Sequence, residues 1–412
     1  MPVMQMCVIQ MPAMPMIDEI PRLRLRAWHD QAAHILKFGA TKLQRIPQVD
    51  GLRAVAILMV FAAHAFGVRL FWMGVDLFFV LSGFLITGIL LRLKENRSAG
   101  GSYWAAFYLR RIRRILPPYI AFLAVLSIFW RVPWSHIWYW HVFFVPNVPL
   151  ALGKVVLAAM GPLWSLGVEE QFYFVWPWLV LACSKDGLRR IALTVILVSP
   201  VLRGIATPLF STHFPIYCLT MFRADALATG AFIALAASRD PKWIVRSRNP
   251  ALICSVSALA LLMGLSILPS FRAAANSILF NSLAYSLSAA CLGSLLVYAL
   301  GTQQGLLHKF LSAAPLRYLG LISYTFYLYH EAVLLEAGQY LHSRTLIALT
   351  AFSITVLISV LSWHLFEAPI LGRSVRKQIA DFRSRSGARF WPVETRLQSP
   401  IVVAQALSIN DV

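Results

Sequence analysis

The sequence predicts an all-α integral membrane protein with about ten transmembrane helices. Hydrophobic residues make up 59% of the 412 positions and charged residues only 13%, and the mean hydropathy is +0.68. A soluble protein of this length would need far more charge on its surface. Apolar windows also recur along the chain between short polar breaks, and each is about 20 residues long, enough to cross a bilayer as a helix.

Ten such windows follow one another, and each is expected to form one helical span. They cover residues 52–68, 71–91, 108–130, 166–183, 189–207, 215–237, 250–268, 276–300, 317–338 and 345–366. Because ten is an even number, both termini are expected on the same side of the membrane. Basic residues decide which side, since loops rich in Lys and Arg stay in the cytoplasm.

The basic residues gather at one set of span ends. A cytoplasmic N-terminus places inside the cell Arg92, Lys94, Arg97, Arg110, Arg111, Arg113, Arg114, Lys185, Arg189, Arg190, Arg239, Lys242, Arg246, Arg248, Lys309 and Arg317. The opposite side then carries only Arg69, Arg131, Lys154, Arg203, Arg272 and Arg344. This asymmetry predicts cytoplasmic N- and C-termini.

The predicted membrane domain covers residues 47–372 and leaves a tail at each end. Residues 1–46 form a polar, basic extension that is expected to be poorly ordered apart from a short helix near 26–38, and residues 373–412 form a basic cytoplasmic tail. The extension lacks the features of a cleaved signal peptide.

The longest outer connection is predicted between the third and fourth spans, over residues 131–165. It is rich in Trp, and amphipathic rings suit the membrane interface. The residues concerned are Trp134, Trp138, Trp140 and Trp164.

Composition excludes several classes of function. The net charge of +20 would suit nucleic acid, but the basic residues follow the membrane pattern, so no nucleic-acid partner is expected. The five cysteines lie far apart without a C-x-x-C pair, which argues against a metal site or a disulfide framework. The sequence has no Gly-rich phosphate loop, G-x-S-x-G elbow or H-E-x-x-H helix, which disfavours nucleotide hydrolysis and serine-hydrolase chemistry.

Ionisable residues inside predicted spans are candidates for function, because placing them in a bilayer is costly. His64 lies eleven residues after Arg53 in the first span, roughly 16 Å along a helix axis. Asp76 in the second span is as far after the turn near Leu70 as His64 is before it, so the two should lie at similar depth. The pair predicts a general base oriented by a carboxylate. A polar pair that only joins two helices is the structural alternative.

A basic run opens the third span just before two prolines. Guanidinium groups bind phosphates through paired hydrogen bonds, so this run could hold a phosphate-rich cytoplasmic substrate such as coenzyme A. Membrane anchoring and anionic lipid headgroups would explain the same residues. The run consists of Arg110, Arg111, Arg113 and Arg114.

Three further groups are ionisable. Glu169 and Glu170 are predicted to open the fourth span; adjacent side chains point about 100° apart, so at most one should face the cavity that holds His64, and the other could cap the helix. His330 in the ninth span is a second titratable candidate or a packing residue. Arg223 and Asp225 in the sixth span predict an ion pair within the membrane.

Five segments resemble, in order, the acyltransferase-3 family of bacterial membrane O-acyltransferases. VDGLRAVAILMVFAAHAF resembles the first-span signature of that family, an Arg and a His separated by ten residues, here Arg53 and His64. GVDLFFVLSGFLIT resembles the second signature, and RRIRRILPPY the basic entry to the third helix. PLWSLGVEEQFYFVWP resembles the acidic segment and SYTFYLYH the late helix. The resemblance runs from about residue 47 to 372, nearly all of the hydrophobic chain.

The resemblance implies an enzyme of the bacterial inner membrane. It would transfer an acyl group, most commonly acetyl, from acyl-CoA to a hydroxyl of a carbohydrate such as a cell-surface or exported polysaccharide. No cofactor is expected to be tightly bound, because acyl-CoA is a substrate. The chain ends soon after its last span, so it is expected to be a stand-alone member without the soluble SGNH domain that some members carry.

The resemblance also implies roles for the candidate residues. His64 becomes the catalytic base, and Asp76, Glu169 and Glu170 join the catalytic site. Arg53 becomes a residue of the acyl-CoA side, together with the four arginines of the basic run: Arg110, Arg111, Arg113 and Arg114. The predicted chemistry is direct transfer, with a relay through an acyl-histidine as the alternative.

A second class of function stays open on the residues alone. An intramembrane His with carboxylates would also suit a proton-coupled transporter or exporter of a glycan or an acylated metabolite. The sequence shows no inverted repeat, and a glycan carrier has no need of the phosphate-binding arginine run, so the enzyme is the favoured interpretation.

Overall fold

The computed structural model describes residues 46–97, 103–130, 132–154, 157–272 and 275–371. Within these residues all regular structure is helical, which confirms the predicted all-α class. By its contacts the chain divides into a segment before Pro47, of which only Ile46 is described, and a unit that begins at Pro47. The short helix predicted near 26–38 and the predicted C-terminal tail lie outside the described residues.

The long helices account for most of the described chain. They are α1 (Pro47–Phe66), α2 (Met73–Arg97), α3 (Tyr103–Phe129), α6 (Leu163–Ala182), α7 (Lys185–Ala206), α9 (Thr220–Arg239), α10 (Lys242–Leu265), α11 (Ile278–Gly301), α13 (Ala314–Tyr340) and α14 (Arg344–Ser362). Short helices connect some of them: α4 (Trp134–Val142), α5 (Asn147–Ala151), α8 (Phe214–Cys218) and α12 (Leu306–Leu311). A π-helical turn, Trp363–Glu367, follows α14.

Each predicted span falls on one of the long helices. Among the described residues, eight helical segments are long and apolar enough to cross a membrane, which is the pattern of a multi-pass membrane protein. The two other long helices, α6 and α13, carry several polar side chains in their middle turns. The count of ten spans and the cytoplasmic termini stay predictions.

Close contacts between helices depend on glycine. In the α2–α9 pair, a Cβ at Gly83 would overlap the carbonyl oxygen of Leu227, and a Cβ at Gly230 would overlap that of Val80. Small residues let membrane helices approach until van der Waals contact between backbones holds them together. These two glycines therefore lock α2 against α9.

A similar contact joins α1 to α13, the pair of helices that carries the candidate site. A Cβ at Gly320 would overlap the carbonyl oxygen of Asp50. The first turn of α1 and the second turn of α13 are thus held backbone to backbone, and side chains further along both helices face each other.

The predicted outer connection, residues 131–165, only partly matches the predicted aromatic interface. Trp138 is 51% exposed, as an interfacial ring would be, but Trp164 is 6% exposed and packs in the core. His141 is buried as well and lies beside the Tyr119 hydroxyl, which donates to the His141 carbonyl at 3.2 Å. Burial lowers the pKa of His141 to about 4, so this ring is neutral at physiological pH.

Candidate active site

His64 lies in the last turn of α1 and contacts two polar side chains of α13. Its Nδ1 is 2.8 Å from Nε2 of His330 and 3.2 Å from a carboxylate oxygen of Glu331. His330 is fully buried, whereas 42% of the His64 side chain is exposed. The His64 ring therefore has an open side that can meet a substrate, while α13 holds its other side.

The structure pairs Asp76 with Arg223 of α9 and not with His64, so the predicted orientation of His64 by Asp76 is wrong. Equal depth in the membrane does not determine which way a side chain faces. Asp76 lies on the side of α2 that packs against α9, like Val80 and Gly83. The carboxylate beside His64 is that of Glu331, for which the sequence predicted no role.

The predicted ion pair between Arg223 and Asp225 is also wrong. Residues two apart on a helix point in nearly opposite directions, and each of these finds a partner on another helix. Asp225 accepts a 2.8 Å hydrogen bond from Arg203 of α7, whose side chain is fully buried. Four aromatic rings lie around the guanidinium of Arg223, and the two nearest are Tyr285 at 4.1 Å and Tyr217 at 5.3 Å.

Arg53 lies eleven residues before His64 on α1 and is half-buried. Its guanidinium approaches α13, with Nε 3.4 Å from the Gly320 carbonyl and Nη2 3.3 Å from the Ser323 hydroxyl. It also lies 5.9 Å from the ring of Phe78 on α2. Arg53 is therefore held where α1, α2 and α13 meet.

Glu169 belongs to a hydrogen-bonded group between α2 and α6. Its carboxylate accepts from the hydroxyls of Ser82, at 2.7 Å, and Tyr173, at 2.9 Å. The guanidinium of Arg111 lies over the ring of Tyr173, 4.3 Å from its centroid. An acidic and a basic side chain thus flank one tyrosine where α2, α3 and α6 meet.

The two glutamates differ, as their angular separation on a helix predicts. Only Glu169 joins the hydrogen bonds with α2; Glu170 has one carboxylate oxygen buried without a hydrogen-bond partner in the described part of the chain. The capping alternative is wrong, because α6 begins at Leu163 and places both glutamates beyond its first turn.

The basic run lies inside α3, beyond the first turn of this helix. Arg110 is exposed, whereas Arg111, Arg113 and Arg114 are half-buried. Arg111 differs from the exposed Arg110 because its guanidinium contacts the Tyr173 ring.

A half-buried face connects these groups to His64. On α13 it contains Tyr324, Tyr327 and Glu331, which recur at helical spacing, and on α2 it contains Phe78 and Ser82. The rings of Phe78 and Tyr327 meet edge to face with centroids 5.9 Å apart. Phe78 also contacts Arg53, and the Tyr327 ring lies 5.5 Å from that of His330, so this face joins the surroundings of Arg53 to those of His64.

The sequence predicted no metal site, since it lacks a spaced ligand motif. The structure nevertheless groups three side chains whose ligand atoms all lie within 4.8 Å of one another, namely His64, His330 and Glu331. Imidazole and carboxylate are ligand types that zinc and iron accept.

These features define a multi-pass membrane protein with a titratable site within its helical bundle. The acyltransferase-3 family, described as an acyltransferase domain, matches residues 46–364. The chain belongs to this family, as the sequence motifs predicted, and residues 46–364 form its acyltransferase domain.

The similar proteins include bacterial O-acetyltransferases. The peptidoglycan O-acetyltransferase OatA of Listeria monocytogenes is 28% identical over 367 residues, which cover 79% of this chain and 56% of that protein. The O-acetyltransferase OatA of Staphylococcus aureus is 27% identical over 365 residues, covering 79% of this chain and 57% of that protein. The chain thus spans little more than half the length of the curated relatives it matches. No solved structure matches it.

Proposed function

We propose that this enzyme transfers an acetyl group from acetyl-CoA to a hydroxyl of a polysaccharide outside the bacterial inner membrane. The observation that carries the proposal is the position of His64. The imidazole is 42% exposed and contacts Glu331, and a half-buried face leads from it to the guanidinium of Arg53.

The charges at the inner end support a CoA thioester as the substrate. Arg111 lies against Tyr173, and Arg53 interacts electrostatically with Glu169 and Tyr173; guanidinium groups bind phosphate in bidentate fashion. His64 lies eleven residues from Arg53 on the same helix, roughly 16 Å at 1.5 Å per residue. An extended pantetheine arm covers a comparable distance, so a thioester held by its phosphates at Arg53 reaches His64.

In the proposed reaction His64 accepts the proton of the acceptor hydroxyl while the hydroxyl oxygen bonds to the thioester carbonyl carbon. The carbon–sulfur bond then breaks, and the proton on His64 passes to the departing CoA thiolate. Glu331, 3.2 Å from the ring, stabilises the positive charge that the imidazole carries between these two transfers.

The acceptor is proposed from the relatives. One of them is named as a peptidoglycan O-acetyltransferase, and the chain aligns with it over most of its own length. A glycan hydroxyl of peptidoglycan, or of another surface polysaccharide, is therefore the acceptor class to test first.

Purified protein in lipid nanodiscs, given acetyl-CoA labelled on the acetyl group and soluble peptidoglycan fragments, provides the test. The wild type should release CoA and label the glycan. His64→Ala should reduce both rates by about 100-fold or more, the typical contribution of a general base. His342→Ala, at an exposed histidine between α13 and α14, is the matched control and should retain activity. A wild-type protein that consumes no thioester, or a fully active His64→Ala variant, would refute the proposal.

A further inference from the structure

The hydrogen bonds around His330 determine where its proton lies. Its Nδ1 is 2.7 Å from the backbone carbonyl oxygen of Tyr327, one turn earlier on α13. A carbonyl oxygen can only accept a hydrogen bond, so Nδ1 of His330 carries the hydrogen. The ring is fully buried, which favours the neutral form. Its Nε2 is therefore left with a lone pair.

That lone pair determines the proton position of His64 in turn. Nε2 of His330 and Nδ1 of His64 are 2.8 Å apart, and two lone pairs at this distance would repel each other. One hydrogen must lie between them, and His64 supplies it from Nδ1. A carboxylate oxygen of Glu331 lies 3.2 Å from the same Nδ1 without forming a hydrogen bond to a described residue, and its negative charge favours a hydrogen on that nitrogen.

The other nitrogen of His64 is consequently the basic one. In neutral imidazole one nitrogen carries the hydrogen and the other a lone pair. With Nδ1 protonated, the lone pair lies on Nε2, for which the described residues offer no hydrogen-bond partner.

We propose that His330 is a positioning residue that fixes His64 in its Nδ1–H tautomer, so that Nε2 is the atom that takes the proton from the acceptor hydroxyl. This inference rests on the proposed function for its catalytic meaning, although the tautomer itself can be tested without any substrate. One stretch of α13 supplies all three groups around His64: the backbone carbonyl of Tyr327, the imidazole of His330 and the carboxylate of Glu331.

His64, His330 and Glu331 also have the side-chain types of a metal site, but the distances between them argue against one. Two nitrogens bound tetrahedrally to one zinc ion at about 2.0–2.1 Å would lie about 3.3 Å apart, further than the 2.8 Å observed. The ring centroids are 5.0 Å apart with planes inclined by 24°, so the rings meet nitrogen to nitrogen and nearly end-on. This is the geometry of an N–H···N hydrogen bond.

Two variants separate positioning from packing. His330→Gln keeps a carbonyl oxygen where Nε2 stands, so it should still accept from His64 Nδ1–H. His330→Leu has a similar volume but removes the acceptor. His342→Leu is the matched control for histidine loss at an exposed position.

The first readout is nitrogen NMR of the purified protein labelled with ¹⁵N-histidine, with His64→Gln used to assign the signal. Wild type and His330→Gln should show His64 protonated at Nδ1, whereas His330→Leu should shift it toward the Nε2–H form. The second readout is kinetic. We expect kcat to fall by about 100-fold in His330→Leu, the lower end of a general base contribution, and by only about threefold in His330→Gln, with the KM for acetyl-CoA unchanged.

Several results would overturn the inference. These are a wild-type His64 protonated at Nε2, equal kcat losses in the Gln and Leu variants, or a metal ion bound stoichiometrically in the wild type and lost in His330→Gln. Should His330→Leu fail to fold, the wild-type and Gln spectra still decide the tautomer. A wild type with the expected tautomer but no thioester turnover would refute the proposed function and leave the tautomer assignment standing.

Discussion

Neutralising Asp76 should greatly lower the stability of the protein, because this carboxylate is one half of a buried ion pair. Asp76 and Arg223 form an ion pair in which each side chain is only 1% exposed. Replacing the carboxylate in Asp76→Asn leaves the Arg223 guanidinium as an uncompensated charge inside the bundle. Removing one partner of a buried pair typically costs about 3–5 kcal/mol.

The size of this effect can be compared with a pair on the surface. Lys185 and Glu95 are also ion-paired, at 3.0 Å, but their side chains are 46% and 60% exposed. An exposed pair contributes about 0–1 kcal/mol, so Glu95→Gln is the matched control. Both substitutions remove one negative charge from α2, and they differ in the burial of that charge.

The assay is unfolding of the purified variants in mixed detergent micelles, followed by the loss of helical circular dichroism. Asp76→Asn should lose about 3 kcal/mol or more of unfolding free energy, and Glu95→Gln less than about 1 kcal/mol. The double variant Asp76→Asn, Arg223→Met should recover part of the loss, because the unpaired charge is gone. Equal stability of Asp76→Asn and Glu95→Gln would refute the reasoning.

Three further predictions follow from other features. Gly83→Ala should cost about 1–3 kcal/mol of stability because its Cβ would overlap the α9 backbone; Gly88→Ala, with open space around its Cβ, should be neutral or slightly stabilising in the same unfolding assay. Stability should fall by about 2 kcal/mol between pH 7 and pH 5 through His141. The pKa of His141 in the folded protein, about 4, lies below the unfolded value of 6.5, so on acidification the unfolded chain binds the proton first. The unfolding free energies measured at pH 7 and pH 5 should therefore differ less in His141→Gln than in the wild type. Arg111→Gln should raise the KM for acetyl-CoA about tenfold, in line with the loss of a charged hydrogen bond, and Arg110→Gln should leave it nearly unchanged; steady-state CoA release measures both.

The fold was largely predictable because hydropathy acts over local windows. Each predicted span coincides with a long helix, since about 20 consecutive apolar residues in a bilayer can satisfy their backbone only as a helix. Helix ends were less predictable. The predicted fourth span opened at residue 166, but α6 begins at Leu163, and this difference decides that Glu169 and Glu170 do not cap the helix.

The pairing of side chains between helices was not predictable from the same pattern. Depth follows from counting residues along a span, but the direction of a side chain depends on which helices become neighbours. Asp76 was placed at a suitable depth and given the wrong partner for this reason. The contact between His64 and His330 spans 266 positions in the sequence, and no local motif reports that α1 lies against α13.

The close contact between α1 and α13 has a consequence for substrate choice. The Gly320 and Asp50 backbones meet near Arg53, and His330 meets His64 further along the same two helices, so the separation between guanidinium and imidazole is set by backbone packing and not by a flexible loop. Under the proposed function the pair acts as a molecular ruler. A thioester whose linker is shorter than that separation would leave its carbonyl short of the base, however well its anionic end is held.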